Sequence, residues 1–213
     1  PAARGELPVD LWLEDGAIVV DGKRLIDRSE LKLIGDHNVA NAMAAGAAAL
    51  SLGLPVEVVA EGLRSFAGVA HRLEPVAEFG GVKFVNDSKA TNVEATVTAL
   101  ASFDSGVRLI LGGSVKGESF EPLLAATRPA CSGVYLIGET AAALRQVLAP
   151  LENEGVPLRD CGDLETAVNH AWLDAGEGET ILLSPSCASF DQFRDFEDRG
   201  EHFRRCVGMI DEV

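Results

Sequence analysis

Positive charge is what this sequence has least of. Against 33 Asp and Glu it carries 18 Lys and Arg, a formal net charge of −15. Nucleic-acid binders draw their affinity from clustered Lys and Arg that neutralise phosphates, so that class is excluded. A basic membrane-surface protein is excluded on the same ground. Long apolar runs are also missing: a stretch such as Ala42–Leu50 is rich in Ala and Gly and far too short to span a bilayer. The opening Pro1-Ala2-Ala3-Arg4-Gly5 shows no apolar segment of the secretory kind. It shows no starting Met either, and the expectation is a processed or excised chain. Cys131, Cys161, Cys187 and Cys206 are scattered without a Cys-x-x-Cys pair or a nearby His. That spacing speaks against zinc and fits a reduced, cytoplasmic protein. His37, His71, His170 and His202 are too dispersed to announce a metal cluster.

What is present is enough for a core. With 213 residues, 47% of them apolar, the chain has room for one large domain or two smaller ones. Residues 9–34 read as a small antiparallel meander turning at Asp15-Gly16 and Asp21-Gly22. A helix follows from the polar Asp36–Asn41 segment to Leu52 and stops at Gly53; another runs from Pro55 to Phe66. Capping by Asp36 or Asn38 is expected at the first. From about Ala70 the pattern alternates. Strands are expected at 74–79, 82–85, 107–111, 134–137 and 180–183, with helices at 92–103, 120–127, 141–148, 164–175 and 191–209. Runs such as Arg108–Leu111 and Thr180–Leu183 suit buried parallel strands. The fold class is therefore α/β: a Rossmann-like, doubly wound, mostly parallel sheet over 70–213, preceded by an incomplete α/β unit over 1–69. In such sheets ligands sit beyond the carboxyl ends of the strands.

Four segments have residues suited to that position. Asn86-Asp87-Ser88-Lys89-Ala90-Thr91-Asn92 carries a strand into a helix start, where amides, the helix dipole and Lys89 favour an anion. A capping box Thr91-x-x-Glu94 explains part of it equally well. Gly112-Gly113-Ser114-Val115-Lys116 lets backbone approach a ligand, though alone it reads as a turn with a solvated lysine. It is neither a phosphate loop nor a dinucleotide fingerprint, which disfavours an NAD-dependent oxidoreductase. Three of the chain's five lysines, Lys83, Lys89 and Lys116, lie in this short stretch. Ser184-Pro185-Ser186-Cys187-Ala188-Ser189-Phe190 is rich in hydroxyls. Its competing reading is a Ser189-x-x-Gln192 cap with Phe190, Phe193 and Phe196 as core anchors. Cys187 as a nucleophile lacks an identifiable base. In Asp36-His37-Asn38-x-x-Asn41, the amides of Asn38 and Asn41 share a helix face and suit a purine or ribose.

In this order the segments resemble the Mur ligase family, on its D-glutamate-adding branch. The resemblance rests on Gly35-Asp36-His37-Asn38-x-x-Asn41-Ala42, His71-Arg72-Leu73-Glu74 and the Asn86–Asn92 segment. It continues through Gly112-Gly113-x-x-Lys116, Leu183-Ser184-Pro185-x-Cys187-Ala188-Ser189-Phe190-Asp191-x-Phe193 and Phe196-x-x-Arg199-Gly200-x-x-Phe203. It implies an ATP-dependent amide ligase of peptidoglycan precursor synthesis that works through an acyl phosphate, with ATP, D-glutamate and UDP-N-acetylmuramoyl-L-alanine as small-molecule substrates. By that resemblance Asn38, Asn41, Arg72 and Asp87 contact ATP. Thr91, Lys116, Ser189, Phe190 and Phe196 hold the carboxylates of D-glutamate, and Lys89 and Lys116 supply catalytic charge.

The resemblance covers the end of the family's central ATP-binding domain (1–69) and its C-terminal amino-acid-binding domain (70–213). No Gly-x-x-x-x-Gly-Lys-Ser/Thr occurs here. The phosphate loop and the Mg²⁺ ligands are therefore expected in an N-terminal portion of the same protein, and this chain alone is expected to be inactive. A stand-alone nucleotide or amino-acid binding module of Rossmann type is the alternative.

Overall fold

The computed structural model describes residues 11–114 and 117–210. The chain divides between Gly68 and Val69 into two compact units.

The first unit begins with three antiparallel strands, β1 (Leu11–Glu14), β2 (Ala17–Val20) and β3 (Lys23–Asp27). Both turns place an Asp and a Gly at positive φ (47° and 75°, then 47° and 76°), as two-residue turns matched to strand twist require. Helix α1 (Asp36–Ser51) follows. Its N-cap is Gly35, with no side-chain capping bond, which corrects the expected Asp36 or Asn38 cap. Asn38 instead donates from Nδ2 to the Ile34 carbonyl at 2.8 Å. Gly53, at φ 85°, ends the helix in the left-handed conformation that a Cβ disfavours. Helix α2 (Val56–Ser65) starts at Pro55. Ile18, Val20, Ile26, Leu31, Val39 and Val59 form the core of this unit, and β2 is buried along its whole length.

The second unit is a six-stranded sheet with helices on both faces. Its elements are β4 (Glu74–Phe79), β5 (Val82–Asn86), α3 (Val93–Leu100), β6 (Val107–Gly112), α4 (Glu121–Ala130) and β7 (Cys131–Ile137). Then come α5 (Ala141–Leu148), the single turn α6 (Pro150–Asn153), β8 (Leu158–Gly162), α7 (Leu164–Asp174), β9 (Thr180–Leu183) and α8 (Phe196–Ile210). The strand order is β4-β5-β9-β6-β7-β8, parallel throughout except for β4, which pairs antiparallel with β5. Phe84, Ile110, Tyr135, Ile137, Ile181 and Leu183 pack on one face with residues of α7 and α8. The residues between them, including Val85, Leu109, Leu111, Val134, Leu136 and Leu182, are buried as well. Burial on both faces explains why these strands read as continuous apolar runs.

Four local expectations change. Strand β8 was not anticipated: its sequence, Leu-Arg-Asp-Cys-Gly, buries only Leu158 and Cys161 at the sheet edge, so no apolar run marks it. The cap of α3 is Asn92 rather than Thr91, its side chain accepting from the Ala95 amide at 2.8 Å. Helix α8 begins at Phe196, not Asp191. The expected Ser189–Gln192 cap is absent because the Gln192 side chain donates from Nε2 to the Gly162 carbonyl at 2.7 Å, while the Ser189 carbonyl accepts from the backbone amides of Gln192 and Phe193.

Candidate functional site

Strands β5, β6, β7, β8 and β9 end on the same edge of the second unit, and the loops leaving them are cross-linked by hydrogen bonds. After β5, the Asp87 amide donates to the Leu183 carbonyl at 2.7 Å, joining the ends of β5 and β9. Asp87 Oδ1 accepts from the Leu73 amide at 3.1 Å and Oδ2 from the Ser184 hydroxyl at 2.8 Å. The carboxyl group is 5% exposed. Burial raises its pKa from 3.8 to about 6, against the lowering effects of the Ser184 and Leu73 bonds and the Arg72 charge.

The segment before β4 is bent to meet this loop. His71 and Leu73 both take positive φ, 62° and 42°, conformations that a non-glycine residue keeps only when its surroundings hold it. They are held here: the His71 carbonyl accepts from the Lys89 amide at 3.0 Å, the His71 amide donates to Glu74 Oε2 at 2.9 Å, and Leu73 binds Asp87. Arg72, between them, is exposed at the surface near Asp87.

Lys89 is also exposed, and its Nζ stands 5.0 Å from the centroid of the Phe196 ring, a cation–π contact that keeps the charge at the loop. Thr91 closes the segment through its amide, which donates to the Lys89 carbonyl at 2.8 Å. After β6, Gly112 and Gly113 have φ 125° and 150°, and a side chain on either would run into the Ile137 or the Ala188 carbonyl. Only glycine lets the β6 end lie this close to β7 and the β9 loop. Thr140 fastens the same point, its hydroxyl accepting from the Gly113 amide and donating to the Gly113 carbonyl, both at 3.1 Å. Ser114 bridges to Ala188 at 2.9 Å. Lys116, expected at this mouth, lies outside the described residues.

In the β9 loop, Ser189 is buried while its neighbour Phe190 is 72% exposed. Phe190 is therefore not a core anchor; Phe193 packs against the core and Phe196 is half-buried. Cys187 is buried, its Sγ 3.4 Å from Thr140 Oγ1 and 3.7 Å from Ser186 Oγ. Burial pushes its thiol pKa up, the opposite of an activated nucleophile.

The second unit thus brings Arg72, Asp87, Lys89, Thr91, Ser189, Phe190 and Phe196 to one strand edge. Asn38 and Asn41 belong to the first unit. There Asn38 is buried and its Oδ1 accepts from Asn41 Nδ2 at 3.2 Å, so Asn38 supports the exposed Asn41 amide. Among the described residues no three His, Cys, Asp or Glu side chains gather as metal ligands. No helix of the described residues is long and apolar enough to cross a membrane.

The residue that sequence reasoning left without a role is Arg199, buried on α8 and bonded to both the β5 and β9 loops. Its signal was present: Phe196, Arg199, Gly200 and Phe203 stand at the i, i+3, i+4, i+7 spacing of one inward helix stripe.

Such a sheet, parallel but for one edge strand and covered by helices on both faces, defines a Rossmann-like domain. Residues 71–187 match the family model of the Mur ligase glutamate ligase domain. The chain belongs to the Mur ligase family. It is 47% identical over 188 residues to the UDP-N-acetylmuramoylalanine–D-glutamate ligases of Burkholderia mallei and Burkholderia pseudomallei, a match covering 88% of this chain and 37% of theirs. The chain thus spans little more than a third of those relatives. Among solved structures, the UDP-N-acetylmuramate-alanine ligase of Thermotoga maritima superposes with a TM-score of 0.64 at 19% identity, over 91% of this chain and 43% of that one. The folylpolyglutamate synthase of Mycobacterium tuberculosis gives 0.61 at 17%, over 91% and 47%. Both show a shared fold.

Proposed function

We propose that this chain is the amino-acid-binding part of a cytoplasmic, ATP-dependent ligase that joins D-glutamate to UDP-N-acetylmuramoyl-L-alanine in peptidoglycan synthesis. The observation that carries the reading is the 47% identity to D-glutamate ligases over 88% of the chain. The strand-edge geometry supports it. Thr91, Ser189, Phe190, Phe196 and Lys116 hold the two carboxylates of the amino acid. Lys89 supplies a full positive charge at the same loop, held over the Phe196 ring. A cation of that kind stabilises charge developing on carboxyl and phosphoryl oxygens as the amine attacks the activated carboxyl carbon. Asn38, Asn41, Arg72 and Asp87 serve the nucleotide. Of these, Asn41 and Arg72 are exposed and suited to direct contact, while Asn38 and Asp87 are buried and orient their neighbours. ATP supplies the phosphoryl group. Mg²⁺ has no ligand cluster among the described residues.

The test is a chimera in which this chain replaces the matching part of the Burkholderia mallei ligase. Phosphate release that requires ATP, UDP-N-acetylmuramoyl-L-alanine and D-glutamate, with L-glutamate inert, is the expected result. A folded chimera indifferent to D-glutamate would sink the reading. The chain alone, given all substrates, is expected to release no phosphate.

A further inference from the structure

Among the described residues Arg199 is the largest fully buried side chain, 1% exposed, and no carboxylate stands at ion-pair distance from it; the Asp191 charge acts on it from farther away. A buried guanidinium without a directly paired carboxylate is costly unless its donors are satisfied by fixed dipoles. Bonds to the site loops satisfy Nε and Nη2. Nε donates to the Ser88 hydroxyl at 3.0 Å and Nη2 to the Ser88 carbonyl at 2.9 Å. Nη2 also donates to the Cys187 carbonyl at 3.1 Å. The Ser88 hydroxyl in turn donates to the Phe196 carbonyl at 2.8 Å, in the first turn of α8. Nη1 has no hydrogen-bond partner and lies 3.2 Å from where a Cβ on Gly113 would stand, so the guanidinium fills the space that this glycine leaves open. One side chain therefore ties the β5 loop to the β9 loop and abuts the end of β6. The planar fork is what spans three backbones; a lysine ammonium is a single point and reaches fewer of them. Burial lowers the Arg199 pKa to about 10, so the group stays charged at neutral pH.

We propose that Arg199 is a positioning residue, setting the distance between the loop of Lys89 and Thr91 and the loop of Ser189 and Phe190. The consequence for catalysis rests on the ligase reading above; the mechanical role does not. The mechanical role is tested in the chain itself by labelling native protein with N-ethylmaleimide and reading Cys187 beside Cys131, Cys161 and Cys206 by peptide mass spectrometry. Losing charge-assisted bonds to the β9 loop loosens it locally, so in Arg199→Met Cys187 is labelled about tenfold faster while the other three keep their rates. If Arg199→Met unfolds and all four rates rise, Arg199→Lys decides: a selective rise at Cys187 supports the proposal, and an unchanged rate overturns it. In the chimera, Arg199→Lys is expected to raise KM for D-glutamate several-fold with KM for ATP unchanged. Equal loss for both substrates overturns the positioning role. A chimera that ignores D-glutamate refutes the ligase reading, while the Cys187 labelling still decides the role of Arg199.

Discussion

The imidazole of His71 fills the space into which a side chain on Gly200 would project, with its Nδ1 3.0 Å from the Asn86 amide nitrogen. The Gly200 carbonyl accepts from that same amide at 3.3 Å. One buried amide thus joins the bent segment before β4, the end of β5 and the middle of α8.

Gly200→Ala tests that packing. In an open helix interior the change gains about 1 kcal/mol. Here the methyl meets a ring whose backbone is pinned at positive φ, and overpacking of that kind costs about 1–3 kcal/mol. The net expectation is a lower urea midpoint. A midpoint raised above that of the wild type would show that His71 moves aside freely.

Asp87 makes stability depend on pH in an unusual direction. Its folded pKa of about 6 lies above the ordinary 3.8, so between those values the folded state holds a proton that the unfolded chain has released. Its contribution is greatest below that window and is lost as pH rises through it. Asp87→Asn keeps an acceptor for the Leu73 amide and has no charge to bury. The stability of Asp87→Asn relative to wild type is therefore expected to rise between pH 4 and pH 7, measured by urea unfolding at both. A flat difference would remove the buried-carboxylate account.

Phe190 separates anchor from ligand contact. At 72% exposed it contributes little to folding, and Phe190→Ala should leave stability within about 0.5 kcal/mol of wild type. In the chimera the same change should raise KM for D-glutamate. A large loss of stability would restore the core-anchor reading.

Lys89→Ala removes an exposed cation held over Phe196, a contact of about 0.5–1 kcal/mol. Thermal unfolding should move little, whereas ligation in the chimera should fall by about 10²-fold or more. Lys89→Arg keeps the charge and the ring contact and should recover part of the rate. Full activity in Lys89→Ala would assign the charge at this loop elsewhere.

The sheet was legible wherever burial on both faces produced apolar runs, as in Arg108–Leu111 and Thr180–Leu183. It was illegible at β8, where Arg159 and Asp160 face solvent at an edge and only two residues turn inward. The loops that carry the site could be located because small and hydroxyl residues follow buried strands. How they are fastened could not. Gln192 binds across to Gly162 instead of capping its own helix, and Arg199, read in isolation, is one more charge on a helix. Both facts depend on strands that are distant in sequence becoming neighbours, which no local pattern encodes.

That neighbourhood has a consequence for synthesis. Strand β9, the last to be made, lies between β5 and β6, which pair with it on either side and not with each other. As the chain leaves the ribosome, β5 must wait for Thr180–Leu183, a delay of roughly 5–20 s at about 5–20 residues per second. During that interval two bare strand edges face outward on the nascent chain, the condition under which sheets pair with the wrong partner. A stop codon between Gly162 and Thr180 would yield two half-sheets without their keystone rather than a slightly shorter domain.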